Sequence, residues 1–186
     1  VRYILVWPGW LRLAHWVIAL GVLFQIASAW GIANDYSHYA FWRDWHLITG
    51  QLLLFALAGR CILLFTAGPA HWRNFVDYRS QWPAMMQTLR FYLSFTRMPL
   101  PNWYAHNPLW KPVYLLMYLL LAGLGISGLL YESTTVLLFD TPRGLHGSLA
   151  TLLGILVLAH IVTTVLHDWK GRGGMISAMI NGNRYF

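Results

Sequence analysis

The sequence predicts an all-α membrane protein, a four-transmembrane-helix bundle with both termini cytoplasmic. Three observations predict it. Of the 186 residues, 58% are hydrophobic and 10% charged, where a soluble domain carries roughly a quarter charged residues; mean hydropathy is +0.49. Four stretches hold the ~20 mainly apolar residues that a helix needs to cross a hydrocarbon core of about 30 Å. The cations divide unequally between the two sets of connections.

The spans fall at about 11–32, 45–66, 112–131 and 145–167, within one domain of residues 1–186. Short connections, 33–44 and 132–144, join the first pair and the last pair, and a longer polar and aromatic loop, 67–111, joins the two halves. An even number of spans puts both ends on one side. That side holds Arg2, Arg12, Arg73, Arg79, Arg90, Arg97, Lys111, Lys170, Arg172 and Arg184, the other holds Arg43 and Arg143, and Arg60 falls inside the second span. Cation excess marks the cytoplasmic side. Trp7, Trp10, Trp30, Trp42, Trp45, Trp103 and Trp110 sit near expected interfaces, where amphipathic rings partition.

Composition also excludes function classes. The net charge of +7 flanks the spans rather than forming a stripe, so no nucleic-acid partner is expected. Cys61 is the only cysteine, which leaves no disulfide framework and no thiolate cluster for iron–sulfur or structural zinc. The sequence starts at Val1, so a few residues are expected to be missing or processed. No cleavable signal peptide is expected, because the first apolar stretch is too long for one. Residues 83–97 read as a short amphipathic helix, either in the headgroup plane or docking a soluble partner. The apolar residues 136–139 read as a partner contact or as a dip into lipid.

Four of the eight histidines, His15, His46, His146 and His160, fall inside spans. An ionisable side chain there is costly and marks function. Helix direction sorts them by depth: His15 and His160 near the cytoplasmic face, His46 and His146 near the outer face. His146 and His160 stand 14 residues apart, a rise of ~21 Å that returns the side chain to within ~40° of its starting direction. Two depth-matched pairs, each from two helices, are what two bis-histidine haems require. Gly21, Gly50, Gly147 and Gly154 supply small positions for a macrocycle. Arg12 and Arg143 lie near the histidines as propionate partners, and Arg60 reads as a partner of a propionate or a quinone. The spans carry no acidic residue in their interiors, which argues against ion transport and proton pumping. His167, just past His160, is read as a snorkelling interfacial histidine, with a proton relay as the other reading.

The motifs WLRLAHW at 10–16, HLITG at 46–50, HNPLWKPVY at 106–114, HGSLATLLGILVLAH at 146–160 and the tail MISAMINGNRYF at 175–186 resemble the superfamily of bacterial cytochrome b561 and Ni,Fe-hydrogenase b-type cytochromes, including formate dehydrogenase gamma subunits. The resemblance covers nearly the whole chain. It implies two haems b, ligated by His15 with His160 and by His46 with His146. It also implies a quinone site beside the inner haem, with Asn107 and His160 contributing and His106 an added candidate; Asn107-Pro108 is equally a favoured helix start. The implied setting is the bacterial inner membrane, with a periplasmic redox partner such as an iron–sulfur protein, a hydrogenase small subunit or a cytochrome c. The alternatives are a stand-alone superoxide:quinone oxidoreductase similar to cytochrome b561 and a non-redox scaffold or transporter. An anionic substrate such as superoxide favours a cationic outer face, but Asp35, Asp44, Glu132 and Asp140 offset Arg43 and Arg143 there.

Overall fold

Four helices of the computed structural model are long and apolar enough to cross a membrane: Gly9–Asn34, Tyr36–Leu63, Pro108–Leu129 and Pro142–Lys170. The structure describes residues 3–136, 139–170 and 174–185. Arg2 and Arg172 of the charge reading, and residues 137 and 138 of the apolar segment 136–139, lie outside the described residues.

The chain runs β1 (Tyr3–Leu5), α1 (Gly9–Asn34), α2 (Tyr39–Leu63), α3 (Arg73–Val76), α4 (Tyr78–Leu93), α5 (Lys111–Leu129), α6 (Pro142–Lys170), α7 (Met175–Asn181) and β2 (Asn183–Tyr185), with single 3-10 turns at Tyr36–His38 and Pro108–Trp110. The helices outrun the expected spans at most ends, and local chemistry explains the offsets. The connection 33–44 is largely helical. Asp35 accepts from the Ser37 hydroxyl at 2.7 Å, from Trp42 Nε1 at 3.0 Å and from the His38 ring at 3.0 Å, and α2 therefore starts at Tyr39 rather than near 45. These donors, Ser37 first, hold the Asp35 carboxyl below the usual carboxylate range. The amphipathic helix expected at 83–97 is present as α4, but it begins at Tyr78 and stops at Leu93. Phe95 and Thr96 both adopt positive φ, 51° and 67°, a conformation that ends a helix.

The chain forms two compact units. The first gathers the residues up to Arg12, Leu63–Met117 and those from Leu156 onward. Its core is Val6, Trp7, Leu11, Ala70 and Ala178, with Leu63, Ala105 and Met179 packed against it. There β1 pairs antiparallel with β2, with Ile4 opposite Arg184. Gly182, at φ +90°, presents its carbonyl to Val6 N at 2.9 Å and Trp7 N at 3.0 Å. A Cβ at that position would stand 2.7 Å from the Leu5 side chain and 2.8 Å from the Trp7 carbonyl oxygen. Asp168 caps α7 by accepting from the Met175 and Ile176 amides. The buried Arg184 donates Nη1 to the carbonyls of Trp103 at 2.6 Å and Tyr104 at 3.0 Å, and burial lowers its pKa.

The second unit comprises Leu13–Ile62 and Tyr118–Ile155. Its interior is narrow, with Val22, Leu53, Leu57, Leu120, Leu145 and Leu153 buried beside Ser28 and Ser127. Gly21 lies against the Leu53 side chain and Gly125 against Leu54, so two contacts depend on a missing Cβ, as membrane helix packing favours. Leu20, Leu52, Phe55, Leu119 and Ile155 are exposed. An apolar exterior over a satisfied helical backbone suits lipid as solvent.

Candidate functional site

In the second unit, His46 on α2 and His146 on α6 face each other with ring centroids 6.3 Å apart and planes at 67°. Each ring is held from behind by a serine. Ser28 Oγ donates to the Gln25 carbonyl at 3.2 Å, so its oxygen accepts from His46 Nδ1, 2.8 Å away. Ser127 Oγ donates to the Gly123 carbonyl at 2.7 Å and accepts from His146 Nδ1 at 3.1 Å. His146 Nδ1 also donates to the Leu124 carbonyl at 3.1 Å. A carbonyl only accepts, so the ring proton resides on Nδ1 and Nε2 keeps its lone pair. Gly128 leaves room for this ring: a Cβ there would lie 3.3 Å from His146 Cε1. Gln25 Nε2 ties α1 to α2 beside the pair, donating to the His46 carbonyl at 2.8 Å and to Thr49 Oγ1 at 3.0 Å.

His15 and His160 belong to different units, and their pairing rests on helix direction and depth. The His15 ring meets Trp16 edge-on at 5.6 Å. The His160 ring is flanked edge-on by Trp110 at 5.6 Å and Tyr114 at 5.7 Å.

The three candidate propionate partners have distinct settings. Arg60 is 4% exposed inside its span and stacks over the Tyr118 ring at 5.2 Å. Its Nη1 is buried and makes no hydrogen bond among the described residues. Arg12 donates Nη1 to the Ile180 carbonyl at the end of α7, while its buried Nε is likewise unpartnered among the described residues. Arg143 is solvent-exposed, 3.7 Å from Glu132 and 4.9 Å over the Tyr131 ring.

In the first unit a second polar cluster forms around Tyr92 of α4. Asn107 caps the 3-10 turn through its Oδ1, which accepts from Leu109 N at 3.0 Å, with Pro108 at the first position. That bond orients the amide nitrogen toward Tyr92 Oη, 3.2 Å away. Trp110 Nε1 donates to the same oxygen at 3.2 Å, and His167 Nε2 lies 2.7 Å from it. Burial pushes the Tyr92 phenol pKa up, while the Trp110 and Asn107 donors pull the other way. The reading of His167 as a snorkelling residue is corrected: it is 5% exposed, covered edge-on by Trp103 at 5.4 Å and aligned with Tyr92. His106 packs among the rings of Trp7 at 4.8 Å, Phe75 at 4.6 Å and Tyr114 at 5.7 Å.

Residues 6–182 match the family model described as prokaryotic cytochrome b561. The chain belongs to the prokaryotic cytochrome b561 family. The four apolar helices and this membership make it an integral membrane protein of electron transport, and the family implies b-type haem. A relative, the "Probable Ni/Fe-hydrogenase B-type cytochrome subunit" of Cupriavidus necator, is 22% identical over 207 aligned positions that cover 94% of this chain and 84% of that protein. No solved structure matches the chain.

The residues present in this cytochrome b561 family member fit the implied haem. With metal–nitrogen bonds of about 2 Å on each side, an iron between two imidazoles would set their centroids about 6 Å apart, and His46 and His146 stand at 6.3 Å. Metal-binding histidines nearly always commit their other nitrogen to a hydrogen bond, as both do here. Among the described residues no group of three or more His, Cys, Asp or Glu side chains could hold a free metal ion. Ser28, Ser127 and Gln25 were not singled out by the sequence. The signal that could have found them is a polar side chain in an apolar span, which needs a partner there.

Proposed function

We propose that the protein is the dihaem b-type cytochrome subunit of a respiratory oxidoreductase, carrying electrons across the bacterial inner membrane between a periplasmic redox partner and the quinone pool. The observation that carries this reading is the facing His46–His146 pair with both Nδ1 positions committed. Four histidines at two depths support a second centre at His15 and His160. The likeness to the hydrogenase cytochrome subunit of Cupriavidus necator supports a partner of hydrogenase type, contributing an iron–sulfur subunit; a cytochrome c is the other partner class. The cation bias supports a cytoplasmic position for both ends of the chain.

Each haem, when bound, supplies reversible one-electron storage at its iron. His46 and His146 would hold the outer group and His15 and His160 the inner one. Ser28 and Ser127 keep the outer imidazoles in the tautomer that offers Nε2. Arg60, Arg12 and Arg143 would partner propionates; Arg60, buried and with no acidic partner among the described residues, has the strongest need of an anion. Asn107 spends its carbonyl oxygen on the cap and one amide hydrogen on Tyr92, and its second amide hydrogen would bind a quinone oxygen, with His106 nearby in sequence. Aromatic Tyr36, Tyr39, Phe41 and Trp45, all exposed, would meet the partner on the outer side.

The test is a haem assay and reduced-minus-oxidised spectrum of the purified protein, followed by oxidation of the reduced protein with a soluble quinone. Two haems per chain and re-oxidation by quinone are expected. A spectrum without b-type absorption would sink the reading, and one haem per chain would remove the transmembrane wire.

A further inference from the structure

His167 and Tyr92 play no part in holding the haems proposed above, yet His167 is an ionisable side chain buried within a span, which is costly to keep. Their hydrogen-bond inventory explains them. The indole Nε1 of Trp110 only donates, and Asn107 is oriented by its own cap to present its amide nitrogen. Tyr92 Oη therefore receives two donors. Two acceptors face its own hydrogen: the Thr163 hydroxyl, whose own hydrogen is spent on the Ala159 and His160 carbonyls, and His167 Nε2 at 2.7 Å. Given to His167, the hydrogen makes Nε2 an unprotonated acceptor. The bond is short and part-buried. Both residues stand in the last turn of their helices, Tyr92 in Tyr78–Leu93 and His167 in Pro142–Lys170, and Tyr92 is half-buried, in reach of water. The titratable or charged groups that face His167 are Tyr92 from α4, His160 on its own helix and Arg184 from β2; no carboxylate opposes it among the described residues.

We propose that Tyr92 and His167 form the proton-donating pair for quinone reduction, an inference that rests on the quinone reading above. Reduction of a quinone to quinol consumes two electrons and two protons. Bound b-type haem would supply the electrons one at a time, and the pair supplies a proton in three linked movements. His167 releases its Nδ1 proton to a reduced quinone oxygen, the Tyr92 O–H proton passes to Nε2, and the phenolate takes a proton from water. The Nδ1–H bond of His167 and the O–H bond of Tyr92 break, an N–H bond at Nε2 and a new O–H bond at Tyr92 form, and the hydroxide left by the water passes to solvent. The pair regains its starting charge, and a flip of the His167 ring restores the Nδ1–H tautomer before the next proton. Asn107 and Trp110, both donors aimed at the phenol oxygen, lower the cost of the transient phenolate. In the opposite direction the same pair accepts a proton from quinol.

The test uses the full-length, haem-loaded protein, reduced and then mixed rapidly with menadione or with ferricyanide, which takes one electron and no proton. Tyr92→Phe is expected to slow haem re-oxidation by menadione roughly 100-fold, the scale of a lost general acid, and to abolish the solvent deuterium isotope effect on that step. Re-oxidation by ferricyanide is expected to stay at the wild-type rate. His167→Gln, which can still accept from Tyr92 but relays no proton, is expected to match it and decides the matter if Tyr92→Phe fails to hold haem. An unchanged menadione rate, or equal slowing with both oxidants, would overturn the pair alone. A wild-type protein that ferricyanide oxidises and menadione does not would overturn the quinone reading and the pair together.

Discussion

His46 and His146 face each other at 6.3 Å, and each is gripped at Nδ1 by a serine from a further helix, Ser28 of α1 and Ser127 of α5. Four helices thus converge on one pair of rings in the second unit. Such outer contacts commonly account for 10–100-fold in metal affinity. Ser28→Ala and Ser127→Ala are each expected to weaken retention of one haem by about that factor, measured as haem loss to apomyoglobin. Equal retention in both variants would show that the hydroxyls only pack.

Single histidine variants should separate the two centres. His46→Ala and His146→Ala are expected to lower the haem content from two per chain to one, and His15→Ala and His160→Ala to remove the other haem. Spectral difference between the two residual species checks the assignment. If His15→Ala and His46→Ala leave the same residual species, the depth pairing is wrong.

Arg60 is a buried cation whose Nη1 lacks a hydrogen bond among the described residues. A nearby positive charge favours the reduced, less positive iron. Arg60→Gln is therefore expected to lower one haem midpoint potential, by an amount on the order of 59 mV for each tenfold change in the one-electron equilibrium. A redox titration reads it, and an unmoved potential would take Arg60 away from the haem.

Asn107 has two duties that substitution can split. Asn107→Ser keeps a helix-capping oxygen and loses the amide that reaches Tyr92. It is expected to slow quinone turnover with haem content and thermal stability near wild type. Asn107→Ala removes both and should cost a further 0.5–2 kcal/mol or so of stability. Turnover that follows stability alone in the two variants would confine Asn107 to the cap.

Gly182→Ala should destabilise the first unit. The position combines φ +90° with a Cβ that meets the Trp7 carbonyl oxygen at 2.8 Å, and the backbone conformation alone costs on the order of 1–3 kcal/mol. Thermal melting followed by tryptophan fluorescence measures it, and an unchanged melting temperature would refute the strain.

The four long helices were legible because lipid demands uninterrupted apolar runs, and those runs are visible in any window of the right length. Their ends were less legible. The Asp35 cluster extends the helical region outward through contacts between Asp35, Ser37 and Trp42 that no hydropathy window registers. His46 and His146 could be paired because helix direction fixes depth. Ser28 and Ser127 could not, since which face a hydroxyl takes depends on how the helices rotate against each other. Tyr92 was hidden for another reason: a tyrosine in an amphipathic connecting helix is ordinary, and only the fold brings Asn107, Trp110 and His167 onto its oxygen. The β1–β2 ladder was out of reach, because strands of three residues carry no periodic signal and their partners stand at opposite ends of the sequence.

That ladder has a consequence for biogenesis. Tyr3–Leu5 leaves the ribosome before the four long helices and Asn183–Tyr185 after them. The pocket around Ala178, which Val6, Trp7 and Leu11 fill, cannot be closed until all four long helices have been made. Completion of the first unit therefore waits until α7 has been translated, and a nascent chain arrested short of Ala178 leaves Val6 and Trp7 uncovered for a membrane protease to find.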